Sequence, residues 1–153
     1  MSRKEREIRD IREIENILHN ALVCRVAFAH DGRPYIVPVN FGYRDRCLYF
    51  HCAPTGKKLD IIKKNNNVCL EVEVDVELIE GDDPCKDWGM KYRSVIGSGK
   101  AHIVEDLNEK IKGLNTIMAH YSGQDSHEYD DKIFRKVTIV KIEIETMTGK
   151  KSV

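Results

Sequence analysis

A chain of 153 residues is long enough for one domain with a hydrophobic core. Its 25 lysines and arginines balance its 25 aspartates and glutamates, which excludes the basic footprint of a general nucleic-acid binder. The five cysteines are odd in number and form no C-x-x-C pair, so neither a disulfide framework nor a zinc knuckle is indicated. The opening MSRKEREIRD reads as a polar arm over residues 1–9. It has the character of neither a signal peptide nor a membrane span, so the expected location is a reducing cytoplasm.

Asp10 followed by Glu13 makes a capping box, and Ile11, Ile14, Leu18 and Ala21 give the helix behind it an apolar stripe. Residues 23–29 read as a strand. Asp31-Gly32 is a favoured hairpin turn, and residues 35–43 form the partner strand. Pro38 lies in the middle of that partner, which puts the strand at an edge or bulges it. Residues 43–46 turn the chain into a strand over 47–52. Pro54-Thr55-Gly56 leads into a helix over 57–64, with Thr55 or Gly56 as its N-cap and Asn65-Asn66-Asn67 as its stop.

Residues 68–80 alternate valine and leucine with Glu71, Glu73, Asp75 and Glu77, so one face meets a core and the other meets water. Trp88 sits in the loop over 81–88, as a lid over a planar ligand or as an interface anchor. A strand over 91–104 carries Gly97 and Gly99 as close-approach or bulge points. Asp106 and Glu109 cap a helix with Ile111, Leu114, Met118 and Tyr121 on one face, stopped by Gly123. A last strand over 137–146 leaves a short polar tail. The pattern predicts six strands and about three helices. Hairpin connections make the sheet mostly antiparallel, which points to a small closed or split barrel with helices outside.

The chemistry concentrates where the strand over 47–52 meets the helix over 57–64. Lys57 and Lys58 occupy the first helical turn, where the helix dipole disfavours cations. A bound phosphate would resolve that conflict, because free N–H groups and both lysines would face an anion; the alternative is two solvated surface lysines. His51 ends the preceding strand close by, and an imidazole can exchange a proton near neutrality. Cys52 has no evident partner base and reads as inert. Gly97-Ser98-Gly99 lacks a third glycine and a following helix, so it is no dinucleotide fingerprint. Gly56-Lys57-Lys58 lacks the upstream glycine and the Ser/Thr of a Walker loop. The remaining histidines show no metal-ligand spacing, so no metal site is expected.

Several segments together carry a resemblance: Cys24-Arg25-Val26-Ala27, Pro38-Val39-Asn40-Phe41-Gly42-Tyr43, Leu48-Tyr49-Phe50-His51, Gly56-Lys57-Lys58-Leu59 and Tyr92-Arg93-Ser94-Val95-Ile96-Gly97-Ser98-Gly99. In these the chain resembles the pyridoxamine 5′-phosphate oxidase-like split-barrel superfamily, and within it the nitroimidazole-resistance (Nim-type) flavin-binding proteins. The resemblance implies one flavin-binding domain over residues 1–153, built on a six-stranded antiparallel split β-barrel with flanking helices. It implies a homodimer with flavin, usually FMN and alternatively FAD, in clefts between subunits. It also implies a small electron acceptor, such as a nitroaromatic; from the charge balance and the polar start, no nucleic-acid or membrane partner is expected. The residues it places against the cofactor are Pro38, Val39, Asn40, His51, Cys52, Thr55, Lys57, Lys58, Arg93 and Ser94, with His51 also acting on the acceptor. The chain ends in Glu145-Thr146-Met147-Thr148-Gly149-Lys150-Lys151-Ser152-Val153, without the Arg-x-His substrate motif of true pyridoxamine phosphate oxidases, so vitamin B6 oxidation is not expected. A non-catalytic flavin module and a haem-binding relative are the alternatives.

Overall fold

The computed structural model describes residues 4–153. A two-residue strand β1 (Glu7–Ile8) precedes helix α1 (Ile11–Asn20). The strands β2 (Cys24–His30), β3 (Arg33–Val39), β4 (Gly42–Arg44) and β5 (Cys47–Cys52) follow, and then helix α2 (Lys57–Lys64). Two long strands come next, β6 (Asn67–Ile79) and β7 (Gly89–Ile103). Helix α3 (Leu107–Ser122), the one-turn helix α4 (Ile133–Lys136) and strand β8 (Thr138–Ser152) complete the chain.

All strand pairs are antiparallel, in the order β3-β2-β6-β7-β8-β5-β4, with β1 added alongside β8. This order carries a strong constraint. β3 and β4 lie at opposite ends of the path, yet only Asn40 and Phe41 join them. Three Cα steps reach at most about 11 Å. A flat sheet of seven strands would separate its end strands by about 29 Å. The sheet must therefore curl until its edges nearly meet, which makes a barrel that is split between β3 and the β5–β4 edge.

Curling encloses a core in which Phe28, Phe41, Leu48, Phe50, Leu70 and Ile142 are essentially inaccessible to solvent. A second cluster of Tyr49, Val104, Leu114, Ile117 and Ile139 lies under α3. Two hairpin turns have both central residues at positive φ, as tight hairpins require: Asp31 (50°) with Gly32 (70°), and Asp45 (50°) with Arg46 (60°).

The connection between β3 and β4 is pinned to α3. Phe41 is fully buried, and its N–H donates to the Tyr121 hydroxyl at 3.0 Å, which itself donates to the Leu22 carbonyl at 2.8 Å. The His120 ring lies 4.4 Å from the Phe41 ring, and its Nε2–H donates to the Ala21 carbonyl at 2.6 Å. Gly42 packs on the α3 backbone so closely that a Cβ there would overlap the Thr116 carbonyl and come within 2.7 Å of Ile117 N.

Among the described residues the sheet has eight strands where six were expected. Residues 35–43 break into β3 and β4 because the chain has to cross from one edge to the other there. The supposed polar tail is strand, since β8 runs to Ser152 along β7 and Gly149 receives Ile8 and Ile14. Of the supposed N-terminal arm, residues 1–3 lie outside the described residues, whereas Ile8 is buried in β1. Both capping aspartates cap as expected, Asp10 to Arg12 N–H and Asp106 to Glu109 N–H. The paired glutamates are drawn elsewhere: Glu13 holds Lys151 at 3.0 Å, and Glu109 takes Lys141 and the Tyr49 hydroxyl. The buried stripes are rotated from those expected, with Ile17 inside and Ile11 outside on α1, and Gly113, Leu114, Thr116 and Ile117 inside on α3. Gly123 ends α3 in the left-handed conformation, φ 74°, as expected.

Two outcomes follow from the pinned connection. Gly42→Ala should lose about 1–3 kcal/mol of stability in urea melts through overpacking, while Gly89→Ala, where a Cβ meets nothing, should stay near wild type. Burial holds the His120 imidazole below its ordinary value. The folded state thus favours neutral His120, so its contribution is complete above about pH 6.5 and is lost as the pH falls through the lower folded value. His120→Gln should flatten the fall in stability on the acid side of pH 6.5, and an unchanged slope would refute this assignment.

Candidate functional site

The split in the barrel creates the site. As an edge strand, β3 leaves N–H and C=O groups unpaired on its open side, and Pro38 has no N–H to offer there. The end of β3 brings Pro38, Val39 and Asn40 to the seam. The end of β5 brings His51 and Cys52, and the first turn of α2 brings Lys58. With Val23 and Ala53 these side chains line one open cavity of about 410 Å³. Residues separated by up to 35 positions in the chain thus converge because both sheet edges stop at the same place.

The electrostatics are simple. His51 is exposed. Burial pushes the Cys52 thiol up, and the nearby Lys58 cation opposes this more weakly, so Cys52 is a neutral wall and not a thiolate. The start of α2 carries no side-chain cap. Gly56 precedes it at φ 146°, a conformation open to glycine, and the space where its Cβ would stand is empty. Free N–H groups there, beside Lys58, form a surface suited to an anion.

The remaining expected residues fall outside this cavity. Lys57 does not join Lys58. Successive helix residues diverge by about 100°, and Lys57 Nζ lies 4.3 Å over the Tyr35 ring in a neighbouring cavity. Thr55 is exposed at the bend before the helix. Arg93 and Ser94 lie on β7 in the middle of the sheet, away from its edges. Arg93 binds Asp75 at 2.6 Å and Asn16 at 3.4 Å, lining a larger cavity of about 760 Å³ that shares Val23 with the seam. Ser94 stands opposite Glu73 and Lys150. Val23 and Ala53 went unread because nothing in their types marks them; only tertiary placement brings them to the seam. Among the described residues no group of three or more His, Cys, Asp or Glu is placed to hold a metal ion. No helix among them is long and apolar enough to cross a membrane.

Residues 10–151 match the sequence profile of a family described as pyridoxamine 5′-phosphate oxidase. The chain belongs to this family. It is 35% identical to a candidate 5-nitroimidazole antibiotic resistance protein from Bacteroides thetaiotaomicron, covering 95% of this chain and 86% of that one, with a TM-score of 0.84. A FAD-binding protein from Mesorhizobium loti is 26% identical, covering 97% of this chain and 98% of that one, with a TM-score of 0.71. A flavocytochrome from Azotobacter vinelandii shares the fold at 17% identity, covering 100% of this chain and 72% of that one, with a TM-score of 0.83. No curated protein matches the chain. The split-barrel fold and the nitroimidazole-resistance-type affiliation expected from the sequence both hold.

Proposed function

We propose that residues 1–153 form one flavin-nucleotide-binding domain and that the protein is an oxidoreductase passing electrons to a small acceptor such as a nitroaromatic. The observation that carries this reading is the convergence of Pro38, Val39, Asn40, His51, Cys52 and Lys58 on one open cavity beside the uncapped start of α2. The cavity suits a planar ring with a phosphate tail: Val23, Pro38, Val39 and Ala53 give apolar walls, Asn40 gives an amide, and Lys58 with the helix N–H groups faces the anion. The similarity to a candidate nitroimidazole-resistance protein and to a FAD-binding protein points the same way.

When bound, the flavin supplies the redox chemistry. The chain's own groups bind and orient. The backbone at Asn40, free beyond the last ladder pair at Val39, would meet the ring's polar rim. Lys58 neutralises the first phosphate, which FMN and FAD share. His51, at the open side of the cavity, donates a proton to the reduced acceptor or polarises it.

A second copy of this chain closes the open side in this reading. Past the bulge at Val74–Glu77 the β6–β7 ribbon leaves Val76, Leu78, Ile79, Trp88 and Met90 each at least 42% exposed, and Leu78 pairs directly with Met90. Exposed apolar side chains gathered at the end of a projecting ribbon are suited to burial between subunits.

Titration of the apo protein tests the first claim. FMN should bind, and Lys58→Gln should weaken it by about 10- to 160-fold, as loss of a charge-assisted hydrogen bond worth roughly 1.5–3 kcal/mol requires. Riboflavin, which lacks the phosphate, should bind both proteins alike. A protein that takes up no flavin refutes the reading. Light scattering tests the second: a dimer burying on the order of 2,000 Å² is expected at micromolar concentration, and Leu78→Asp should weaken it. A flavin-loaded monomer would exclude the paired arrangement.

A further inference from the structure

A second cavity of about 410 Å³ flanks the other side of the α2 start. Pro34, Tyr35 and Ile61 give it apolar walls, while Arg33, Lys57 and His30 give it cationic and hydrogen-bonding groups. Its one carboxylate, Asp31, is turned to His30 Nε2 at 3.1 Å, leaving Arg33 and Lys57 facing the space. This combination suits a planar aromatic group attached to a phosphate.

The two cavities are built from the same two elements. β3 contributes Tyr35 to one and Val39 to the other, about 13 Å apart along an extended strand. α2 contributes Lys57 to one and Lys58 to the other. Gly56 directly precedes both lysines, and its missing side chain leaves the helix start open, with nothing within 4 Å of its Cβ position. A pyrophosphate crossing the helix start would therefore meet Lys58 with its first phosphate and Lys57 with its second.

We propose that this second cavity receives the adenosine and the second phosphate of FAD, so that the flavin at the seam is the dinucleotide. The inference rests on the flavin reading above and narrows it. Lys57, which the sequence grouped with Lys58 on a single phosphate, acts on the second one, and Arg33 joins it. The Tyr35, Pro34 and Ile61 walls take the adenine.

Titrating the apo protein with riboflavin, FMN, FAD and ADP tests this. FAD should bind at least tenfold more tightly than FMN, and ADP should displace FAD while leaving riboflavin bound. Arg33→Gln, on an exposed hairpin, should reduce FAD affinity towards that of FMN, with FMN affinity and the melting temperature unchanged. Two results would overturn the proposal while leaving the flavin reading intact: FMN binding as tightly as FAD, or FAD binding that ignores Arg33→Gln. Failure of all three flavins to bind would overturn both.

Discussion

Everything specific about this molecule depends on the two-residue crossing at Asn40 and Phe41. It ties together the outermost strands of a seven-strand path, and a chain that short forces the sheet to curl. Two strand edges brought so close would ordinarily pair. Here they do not, because the crossing chain occupies the gap and Pro38 removes a donor from the facing edge. The result is a seam, which is at once a gap in the barrel wall and a row of free backbone groups. Phe41 secures it from inside the core, and Gly42 seats it on the α3 backbone. The position of the site is therefore fixed by core packing. Shifting the register of β3 or β5 by one residue would flip every side chain at the seam to the other face.

The long β6–β7–β8 ribbon shows how the same sheet handles its charged face. The acidic row on β6 is not merely solvated. Arg25 reaches Glu71 and Glu73, Arg93 reaches Asp75, and Lys91 approaches Glu77, so cations from the neighbouring strands match each carboxylate. Exposed pairs of this kind contribute little each, but they set which strands lie side by side. The apolar face is covered only as far as Val74, which is partly buried, and from the bulge onward it emerges bare. A local alternation reads identically in both halves, because periodicity records a strand's two faces and not how far the rest of the molecule extends over them.

That distinction explains what was legible. Element types, both aspartate caps, the Asp31-Gly32 turn, the edge character of β3 and the close approach at Gly99 follow from local stereochemistry, which sequence encodes directly. The seam residues Pro38, Val39, Asn40, His51, Cys52 and Lys58 were also legible, because they lie at the ends of readable elements. Partners at long range were not. Glu13 and Glu109 left their capping boxes for lysines 138 and 32 residues away, since a charged partner outcompetes a backbone N–H that water can also satisfy. The tail became strand because β7 offered a free ladder, which composition does not reveal. The rotation of the α1 stripe, burying Ile17 in place of Ile11, reflects the angle at which the helix meets the sheet.

The start of α2 is the point at which stability and the proposed function conflict. An aspartate or serine cap in place of Gly56 would ordinarily add about 1 kcal/mol, and acidic residues in the first turn would add more. The chain instead carries glycine, then two lysines, with Asp60 as the acidic residue of the first turn, and keeps the helix's other lysines, Lys63 and Lys64, at the end where the dipole favours them. Each departure acts in the same direction. A capping carboxylate would occupy the N–H groups and repel an anion. A side chain at Gly56 would be strained at φ 146° and would fill the open space above the helix start. The lysines are costly only while that space is empty of negative charge. One of them already finds partial relief, Lys57 over the Tyr35 ring, while Lys58 faces the seam. Such a helix start is weak on its own and complementary to a phosphate, which is the combination expected when local stability has been given up for binding.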